Sequence, residues 1–310
     1  MRHFLRDDDL SPPEQAQVLE LAAKWKTMPY DAVSPRPLAG PKTVAMIFDK
    51  PTLRTQASFA AGIAELGGYP MLVDGKLAGI GVREQVSDVA KVLGRQAAAI
   101  AWRTFEQSRI EEMAEHAGVP VVNALTDQFH PCQLLADLLT VSEHKGRTAG
   151  LTVAFVGDGA SNMGNSWLLA GATAGMDVRI SSPEDYQPDP QMVDEATRIA
   201  DGTDGSVALE PDPWAAVAGA DVVVTDTWVS MGTEEEGEAR SEAFGDFSVT
   251  TALFAEARPD AIAMHCLPAY RGKEIDAEVI DGPRSVVWDE AENRRHAQKA
   301  ILTFLLEEST

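Results

Sequence analysis

The chain has 310 residues, 45% of them apolar and 24% charged, a composition typical of a globular protein with room for two domains. Its net charge of −22 argues against nucleic acid or an anionic membrane as a partner, because both need a basic surface. The amino terminus lacks a signal peptide's apolar segment, no run reaches membrane-spanning length and two cysteines are too few for a disulfide scaffold, so we expect a cytoplasmic protein.

Helices and strands alternate through the first half of the sequence. Ser11, Pro12 and Glu14 predict a capped helix start. Strands are predicted over 43–47, 69–74, 97–103 and 119–125, and helices over 60–68, 84–94 and 109–118. Short connections between alternating strands and helices are typical of a parallel sheet with helices on its faces.

The second half repeats this alternation after an amphipathic helix over 130–146. LTVAFVGDG (151–159) is predicted to be a strand followed by a turn, and PDAIAMHCLP (259–268) a strand that runs into a loop. Further strands are predicted over 176–182, 206–210, 220–226 and 285–290, and helices over 162–175 and 292–308. The sequence therefore predicts an α/β protein with two doubly wound parallel-sheet domains joined by the helix near 131–145.

Cations and hydroxyls gather in FDKPTLRTQASF (48–59), between a predicted strand and a predicted helix. A helix start presents free N–H groups and a partial positive charge, which suits an anion. Thr52 and Thr55 can donate hydrogen bonds, and Arg54 can bind a phosphate through two. The segment is either a phosphate site or a capped helix with a surface arginine, and it is not a Walker A loop.

Further polar residues follow other predicted strands. Arg103 ends one strand, and His130 and Gln133 follow the next. Ligands of open parallel sheets bind at the carboxyl ends of strands, so these residues and Arg54 are candidates for one crevice. A histidine at a helix start is also commonly structural.

The segment GDGASNMG (157–164) departs from the dinucleotide-binding fingerprint. Asn162 occupies the place of the third glycine, and the next glycine is Gly164. This weighs against a nucleotide-dependent dehydrogenase, and we expect no cofactor. The Asn162 amide can recognise a carboxylate or an amino group, or cap the helix.

Asp226 and Cys266 both lie at the ends of predicted strands in the second half. A zinc site of His265 and Cys266 with His130 and Cys132 matches no standard ligand spacing, so we expect no metal. A Cys–His nucleophile remains an alternative.

Together these segments resemble the ornithine carbamoyltransferase family from about Phe48 to Lys299. The motifs that carry the resemblance are the turn at 52–56, WR at 102–103, HPCQ at 130–133, GDG..NM at 157–163, D.W.SMG at 226–232, HCLP at 265–268 and DEAENR at 289–294. The turn and HPCQ are shared with aspartate-specific relatives, whereas SMG together with HCLP is specific to the members of the family that act on ornithine.

The resemblance implies carbamoyl transfer from carbamoyl phosphate to the δ-amine of L-ornithine, within arginine metabolism. It implies that carbamoyl phosphate is bound by Thr52, Leu53, Arg54, Thr55, Arg103, His130, Gln133, Cys266, Leu267 and Arg294. It implies that ornithine is bound by Asn162, Asp226, Ser230 and Met231, and that the catalytic residues are Arg54, Arg103, His130, Asp226 and Cys266.

The resemblance also implies a domain plan and an assembly. Residues 1–140 would form the carbamoyl-phosphate domain, to which the helix 292–310 returns, and residues 141–291 the ornithine domain. Family members form homotrimers or multiples of trimers, with active sites between domains and at subunit borders.

Two positions depart from the family pattern. The turn reads Thr-Leu-Arg-Thr-Gln instead of Ser-Thr-Arg-Thr-Arg, so Gln56 replaces a cation, and Gly79 stands where a neighbouring subunit usually supplies a glutamine. Alternative functions are carbamoyl transfer to putrescine, lysine or an acylated ornithine, and a non-catalytic relative of the same fold. Asn162 and the SMG loop suit an α-amino acid and weigh against putrescine.

Overall fold

The computed structural model describes residues 1–28, 36–229 and 237–308. The chain divides into two compact units, Met1–Leu139 with Glu292–Thr310, and Thr140–Ala291. Each unit is built on one sheet in which every strand pair is parallel, so the predicted fold class is confirmed.

The first unit contains a four-stranded sheet of order β2-β1-β3-β4. Its strands are β1 (Thr43–Phe48), β2 (Tyr69–Asp74), β3 (Ala99–Arg103) and β4 (Val121–Leu125). The helices that begin in this part of the chain are α1 (Pro12–Thr27), α2 (Arg54–Glu65), α3 (Gly75–Ala78), α4 (Val86–Leu93), α5 (Gln107–Ala117) and α6 (Pro131–Lys145). Helix α1 begins with the predicted capping box of Ser11 and Glu14.

Helices cover both faces of the first sheet, as successive residues of β1 show. Val44 and Met46 pack with apolar residues of α1, α2, α6 and the carboxyl-terminal helix. Ala45 and Ile47 pack on the opposite face with residues of α4 and α5. Because neighbouring strand residues point to opposite faces, a strand buried on both sides reads as the continuous apolar run found here.

The second unit contains a five-stranded sheet of order β7-β6-β5-β8-β9. Its strands are β5 (Thr152–Val156), β6 (Asp177–Ser181), β7 (Ser206–Leu209), β8 (Val222–Thr225) and β9 (Ile262–His265). The helices that begin in this part of the chain are α7 (Asn162–Thr173), α8 (Pro190–Asp201), α9 (Pro213–Val217), α10 (Gly237–Ala243), α11 (Thr251–Phe254), α12 (Ala277–Ile280) and α13 (Val287–Glu307). Helix α13 belongs to the first unit from Glu292 onwards. Across the described ranges, no helix combines the length and apolar character needed to cross a membrane.

Two element assignments from the sequence are wrong. The strand predicted over 285–290 is the start of α13, and Ser285 forms only an isolated bridge with Ala263. A short apolar run such as Val286-Val287 fits a strand or a helix equally well. Helix α2 begins at Arg54, six residues before its predicted start, so Arg54 and Thr55 lie in its first turn.

The glycines of GDGASNMG serve close packing. A Cβ atom on Gly164 would lie 2.3 Å from the carbonyl oxygen of Gly159, and one on Gly159 would lie 2.4 Å from Ser182 Oγ. Real Cβ atoms do not approach other atoms so closely, so both positions need glycine. They let the turn after β5 lie directly against the first turn of α7.

A buried histidine on α13 should make the fold sensitive to acid. His296 is 3% exposed, and burial first, with the nearby Lys299, Arg295 and Lys26, lowers its pKa to about 3. A histidine in the unfolded chain has a pKa of about 6.5, so below that pH it binds a proton, whereas His296 in the folded protein stays unprotonated. The contribution of His296 to the free energy of unfolding is fully present above pH ~6.5 and is lost as the pH falls towards 3.

We therefore expect His296→Gln to reduce the loss of unfolding free energy between pH 7.5 and pH 5.5 by at most about 1.4 kcal/mol. Urea unfolding at both pH values measures it, with His144→Gln, a more exposed histidine, as the matched control. An unchanged pH dependence in His296→Gln would contradict the assignment.

Candidate functional site

The strand order of the first unit places the cationic turn beside the end of β3. Phe48 of β1 pairs with Arg103 of β3, and the Asp49 N–H donates to the Arg103 carbonyl at 2.9 Å. The chain then runs through the turn into α2. Arg103 and the first turn of α2 are therefore neighbours because β1 and β3 are neighbours.

Thr55 contacts two buried arginines and lies at the centre of a hydrogen-bonded cluster. Its hydroxyl oxygen accepts from Arg294 Nη2 at 2.6 Å and from Arg103 Nη1 at 3.4 Å. Arg294 also donates to the side-chain oxygen of Gln133. All four side chains are at most 8% exposed, so α2, β3, α6 and α13 bring together residues that lie up to 239 positions apart.

His130 lies in the field of these arginines and is uncharged at neutral pH. Burial first, followed by Arg294, Arg103 and Arg54, lowers its pKa well below the usual value. A neutral imidazole can donate one hydrogen bond but cannot serve as a cationic acid. The cluster therefore offers fixed positive charge from arginines and a neutral donor from His130.

Other residues of the turn have different environments. Thr52 and Arg54 are partly exposed, whereas the Leu53 side chain is 80% exposed and can serve a ligand only through its backbone. Lys50 forms an ion pair with Asp127, and its ammonium group lies 4.6 Å from the centre of the Phe105 ring. Its charge is therefore balanced by Asp127.

The Gly79 departure has a structural reason. Gly79 ends α3 in the left-handed region at φ 66°, and a Cβ atom there would lie 2.9 Å from Arg83 Cβ. A glutamine at this position would be strained and crowded in the present backbone. Gln56, the other departure, is partly buried in the first turn of α2.

Asp226 and Cys266 meet at the end of the second sheet. Thr225 of β8 pairs with His265 of β9, so the next residue of each strand leaves the sheet at the same edge. The Cys266 thiol donates to Asp226 Oδ1 at 3.2 Å, and the Thr227 N–H donates to the same oxygen at 2.7 Å. Withdrawal from water raises the pKa of Asp226 despite these contacts.

His265 holds the backbone after β9. Its Nδ1 accepts from the Leu267 N–H at 2.9 Å, so its proton is on Nε2, which faces Glu274 Oε1 at 3.2 Å. Leu267 has a positive φ of 61°, a strained conformation for a branched residue that this hydrogen bond helps to hold.

These contacts test the metal and nucleophile hypotheses. Asp226, His265 and Cys266 place one ligand atom each within 4.8 Å of the others, which is close enough for a metal ion. However, both ring nitrogens of His265 are already engaged, so neither can bind a metal or deprotonate the Cys266 thiol. Burial raises the pKa of the Cys132 thiol to about 12, which makes it a poor ligand.

Asn162 is the first residue of α7 and is not its cap. Ser161 is the N-cap, because its hydroxyl oxygen accepts from the Gly164 N–H at 3.1 Å. The capping hypothesis for Asn162 is therefore wrong, and its amide lies at the partly exposed start of the helix. The predicted ornithine residues Ser230 and Met231 lie outside the described residues.

The sequence reasoning missed two supporting carboxylates. Asp137 is 1% exposed and accepts from Gln133 Nε2 at 2.8 Å, which turns the amide oxygen of Gln133 towards Arg294. The spacing of four residues along a helix is a recognisable signal for this pair. Glu274 lies nine residues from His265 on an irregular loop, where no local pattern indicates a contact.

Models of one protein family match both parts of the chain. The carbamoyl-P binding domain of aspartate/ornithine carbamoyltransferase matches residues 2–143. The Asp/Orn binding domain of the same family matches residues 149–305.

Individual relatives match along nearly the full length. The chain is 60% identical over 305 residues to an ornithine carbamoyltransferase of Leifsonia xyli, covering 98% of this chain and 97% of the relative. It is 61% identical over 308 residues to one of Clavibacter michiganensis, covering 99% of each. Among solved structures, the ornithine carbamoyltransferase from Pyrococcus furiosus is similar at a TM-score of 0.93, with 42% identity, 99% of this chain and 97% of the other covered.

The raised pKa of Asp226 gives a stability prediction. The pKa of Asp226 is raised in the folded protein, so the unfolded chain loses its proton first, from about pH 3.8 upwards. The folded protein is therefore destabilised as the pH rises from about 3.8 to the pKa of Asp226 in the folded state, and it stays destabilised at higher pH. Asparagine keeps an acceptor for Thr227 without the charge. We expect Asp226→Asn to be more stable than the parent at pH 7.5, with a smaller gain near pH 4.

Denaturant unfolding at the two pH values measures this gain. Asp185→Asn, which changes an exposed carboxylate in the same unit, is the matched control. Equal or lower stability of Asp226→Asn at pH 7.5 would show that the charged Asp226 carboxylate does not destabilise the folded protein.

Proposed function

We propose that the chain, which belongs to the aspartate/ornithine carbamoyltransferase family, transfers the carbamoyl group of carbamoyl phosphate to the δ-amine of L-ornithine and releases L-citrulline and phosphate. The observation that carries the proposal is the near-complete alignment with two relatives named ornithine carbamoyltransferase at 60% and 61% identity. Both of these relatives are named for ornithine, so they do not favour an alternative amine such as putrescine or lysine.

We assign carbamoyl phosphate to the first unit, at the cationic cluster around Thr55. The start of α2, with Thr52, Leu53, Arg54 and Thr55, would hold the phosphate through backbone N–H groups, hydroxyls and one guanidinium. Buried arginines near one another repel, and an incoming dianion relieves that repulsion. The match of residues 2–143 to a carbamoyl-P binding domain supports this assignment.

Arg103 and His130 are assigned to the carbamoyl oxygen, where negative charge develops during attack. Gln133 and Arg294 would complete the contacts, since both already belong to the hydrogen-bonded cluster. Neutral His130 stabilises the oxygen by donating a hydrogen bond. One preorganised donor of this kind is worth about 3 kcal/mol of the barrier.

Ornithine is assigned to the second unit, with Asn162, Asp226, Ser230 and Met231 as its contacts. Cys266 and Leu267 are assigned to the junction of the two substrates. The match of residues 149–305 to an Asp/Orn binding domain supports this assignment, as does the Asp226–Cys266 contact at the carboxyl end of β8 and β9.

The reaction balances without a protein base. The δ-amine must be neutral to attack, although a free alkylamine has a pKa of about 10.4, and transfer into a water-poor site favours the neutral form. The nitrogen forms a bond to the carbamoyl carbon, and the bond from that carbon to the phosphate oxygen breaks. The departing phosphate takes the amine proton.

We place the reaction in arginine biosynthesis and the protein in the cytoplasm. Expression in an arginine auxotroph that lacks its own ornithine carbamoyltransferase tests the role in metabolism. Growth without arginine supports it, and no growth despite soluble expression argues against it.

We propose a homotrimer, or a multiple of trimers, as the assembly. Large apolar side chains are exposed on the first unit around the edge strand β2 and α3. They are Tyr69 (59% exposed), Leu72 (54%), Leu77 (81%) and Val82 (93%). Exposed apolar residues grouped in this way are typical of a protein–protein interface.

Light scattering of the purified protein should give three times the chain mass of 33.3 kDa, or a multiple of that value. Val82→Asp should shift the mass towards a single chain, because a charge would be buried at the interface. Leu209→Asp, at an exposed apolar residue of the second unit, is the control and should leave the mass unchanged. A single-chain mass for the parent protein would contradict the proposal.

The decisive experiment measures citrulline-type product formation from carbamoyl phosphate with ornithine, putrescine, lysine, N-acetylornithine and aspartate in parallel. We expect turnover with ornithine alone. Turnover with another amine alone would keep carbamoyl transfer and overturn the ornithine assignment. No turnover with any amine would favour a non-catalytic relative.

Arg54→Ala should lose most of the turnover with ornithine, by at least a hundredfold in kcat/KM, because a charged contact to the transferred group is removed. Arg95→Ala removes an exposed arginine of the same unit and should retain parent activity. Near-parent activity of Arg54→Ala would show that the phosphate assignment at α2 is wrong.

A further inference from the structure

Arg240, on α10, joins two turns of the second unit. It is 7% exposed, and its guanidinium forms an ion pair with the Asp158 carboxylate. Its Nε also donates to the Trp228 carbonyl at 2.5 Å. One rigid side chain therefore contacts the turn after β5 and the segment after β8.

Aromatic rings surround the Arg240 guanidinium. Its central carbon lies 4.8 Å from the centre of the Tyr186 ring and 5.4 Å from that of Phe244. Phe244 in turn stacks on Trp228, with centroids 5.9 Å apart and planes at 18°. These cation–π contacts fix the position of the guanidinium and keep water away from the ion pair.

Asp158 connects Arg240 to the start of α7. Its carboxylate accepts from the Ala160 N–H at 3.1 Å, and its carbonyl accepts from the Ser161 hydroxyl at 2.6 Å. Ser161 caps α7, whose first residue is Asn162. A shift of Asp158 would therefore move the turn that presents the Asn162 amide.

Trp228 connects Arg240 to the other proposed ornithine contact. Asp226 lies two residues before Trp228, and its carboxylate accepts from the intervening Thr227 N–H at 2.7 Å. The Thr227 hydroxyl donates to the Val229 carbonyl at 3.2 Å, which makes the segment 226–229 a compact turn. Holding the Trp228 carbonyl therefore holds the turn that presents Asp226.

We infer that Arg240 is a positioning residue for the amino-acid substrate, one that sets the distance between Asn162 and Asp226 by bridging Asp158 and the Trp228 carbonyl. This inference rests on the proposed function and adds to it a residue outside the substrate contacts assigned above. Arg240 is suited to the task because the guanidinium donates in several fixed directions at once, whereas a lysine ammonium is a single point.

A buried charge that loses its partner is costly, so the pair is sensitive to substitution from either side. In Arg240→Lys the charge can still pair with Asp158, but one nitrogen cannot also reach the Trp228 carbonyl in the same geometry. Arg240→Gln leaves Asp158 without its cationic partner. We expect the first variant to be intermediate between the parent and the second.

The test compares KM for the two substrates in the full-length enzyme. Arg240→Lys should raise the KM for ornithine about tenfold and leave the KM for carbamoyl phosphate within about twofold of the parent, because the cluster around Thr55 is untouched. Arg240→Gln should raise the ornithine KM further. Arg198→Lys, an exposed arginine of α8, is the matched control and should change neither value.

A double-mutant cycle with Asp158→Asn provides a readout that general loosening of the fold would not give. If Arg240 acts through Asp158, the combined effect of Arg240→Gln, which removes the ion pair, and Asp158→Asn on the ornithine KM should be smaller than the sum of the single effects in free energy. Thermal unfolding confirms that each variant is folded at the assay temperature.

Equal increases in both KM values, or a fall in kcat with an unchanged ornithine KM, would overturn the inference. Full additivity in the cycle would also overturn it. Failure of the proposed function gives a different result, since the parent enzyme would then show no turnover with ornithine.

Discussion

Parallel strand pairing is the constraint on which both candidate sites depend. In each sheet the strands run in one direction, so their carboxyl ends share an edge and the polar residues that follow them meet there. The pairing of Phe48 with Arg103 places the cationic turn beside a strand-end arginine. The pairing of Thr225 with His265 places Asp226 beside Cys266, because each is the next residue after a paired strand residue. The chemistry of each unit follows from the register of two strands.

The first unit concentrates positive charge in a protein whose net charge is −22. Arg103 and Arg294 are buried around Thr55, and the field of the arginines together with burial keeps His130 neutral. Buried charges are screened less than exposed ones, so Arg103 and Arg294 repel each other in the folded protein. A buried group of like charges is costly to fold and suited to binding a dianion, which is the reason to regard it as a site.

The second unit shows how hydrogen bonds fix a backbone that its own preferences would not select. His265 uses both ring nitrogens, one for the strained Leu267 backbone and one for Glu274. Arg240 uses two directions of its guanidinium, one for Asp158 and one for the Trp228 carbonyl. In both cases a buried polar side chain connects two irregular segments, so these segments can carry functional groups in defined positions.

The sequence by itself determined the α/β class, the order of the strands along the chain and the residues that follow them, because apolar runs and glycine turns are local signals. It also identified the cluster members Arg103, His130 and Gln133 from their places at or after the ends of predicted strands. It assigned 285–290 to a strand, since a short apolar run does not distinguish a strand from the first turn of a helix. Only the tertiary structure decided that Thr55 joins Arg103 to Arg294, that Ser161 caps α7, and that Glu274 and Arg240 support the loops. These contacts join residues far apart in the chain or on irregular loops, and their geometry exists only once the helices have packed against the sheets.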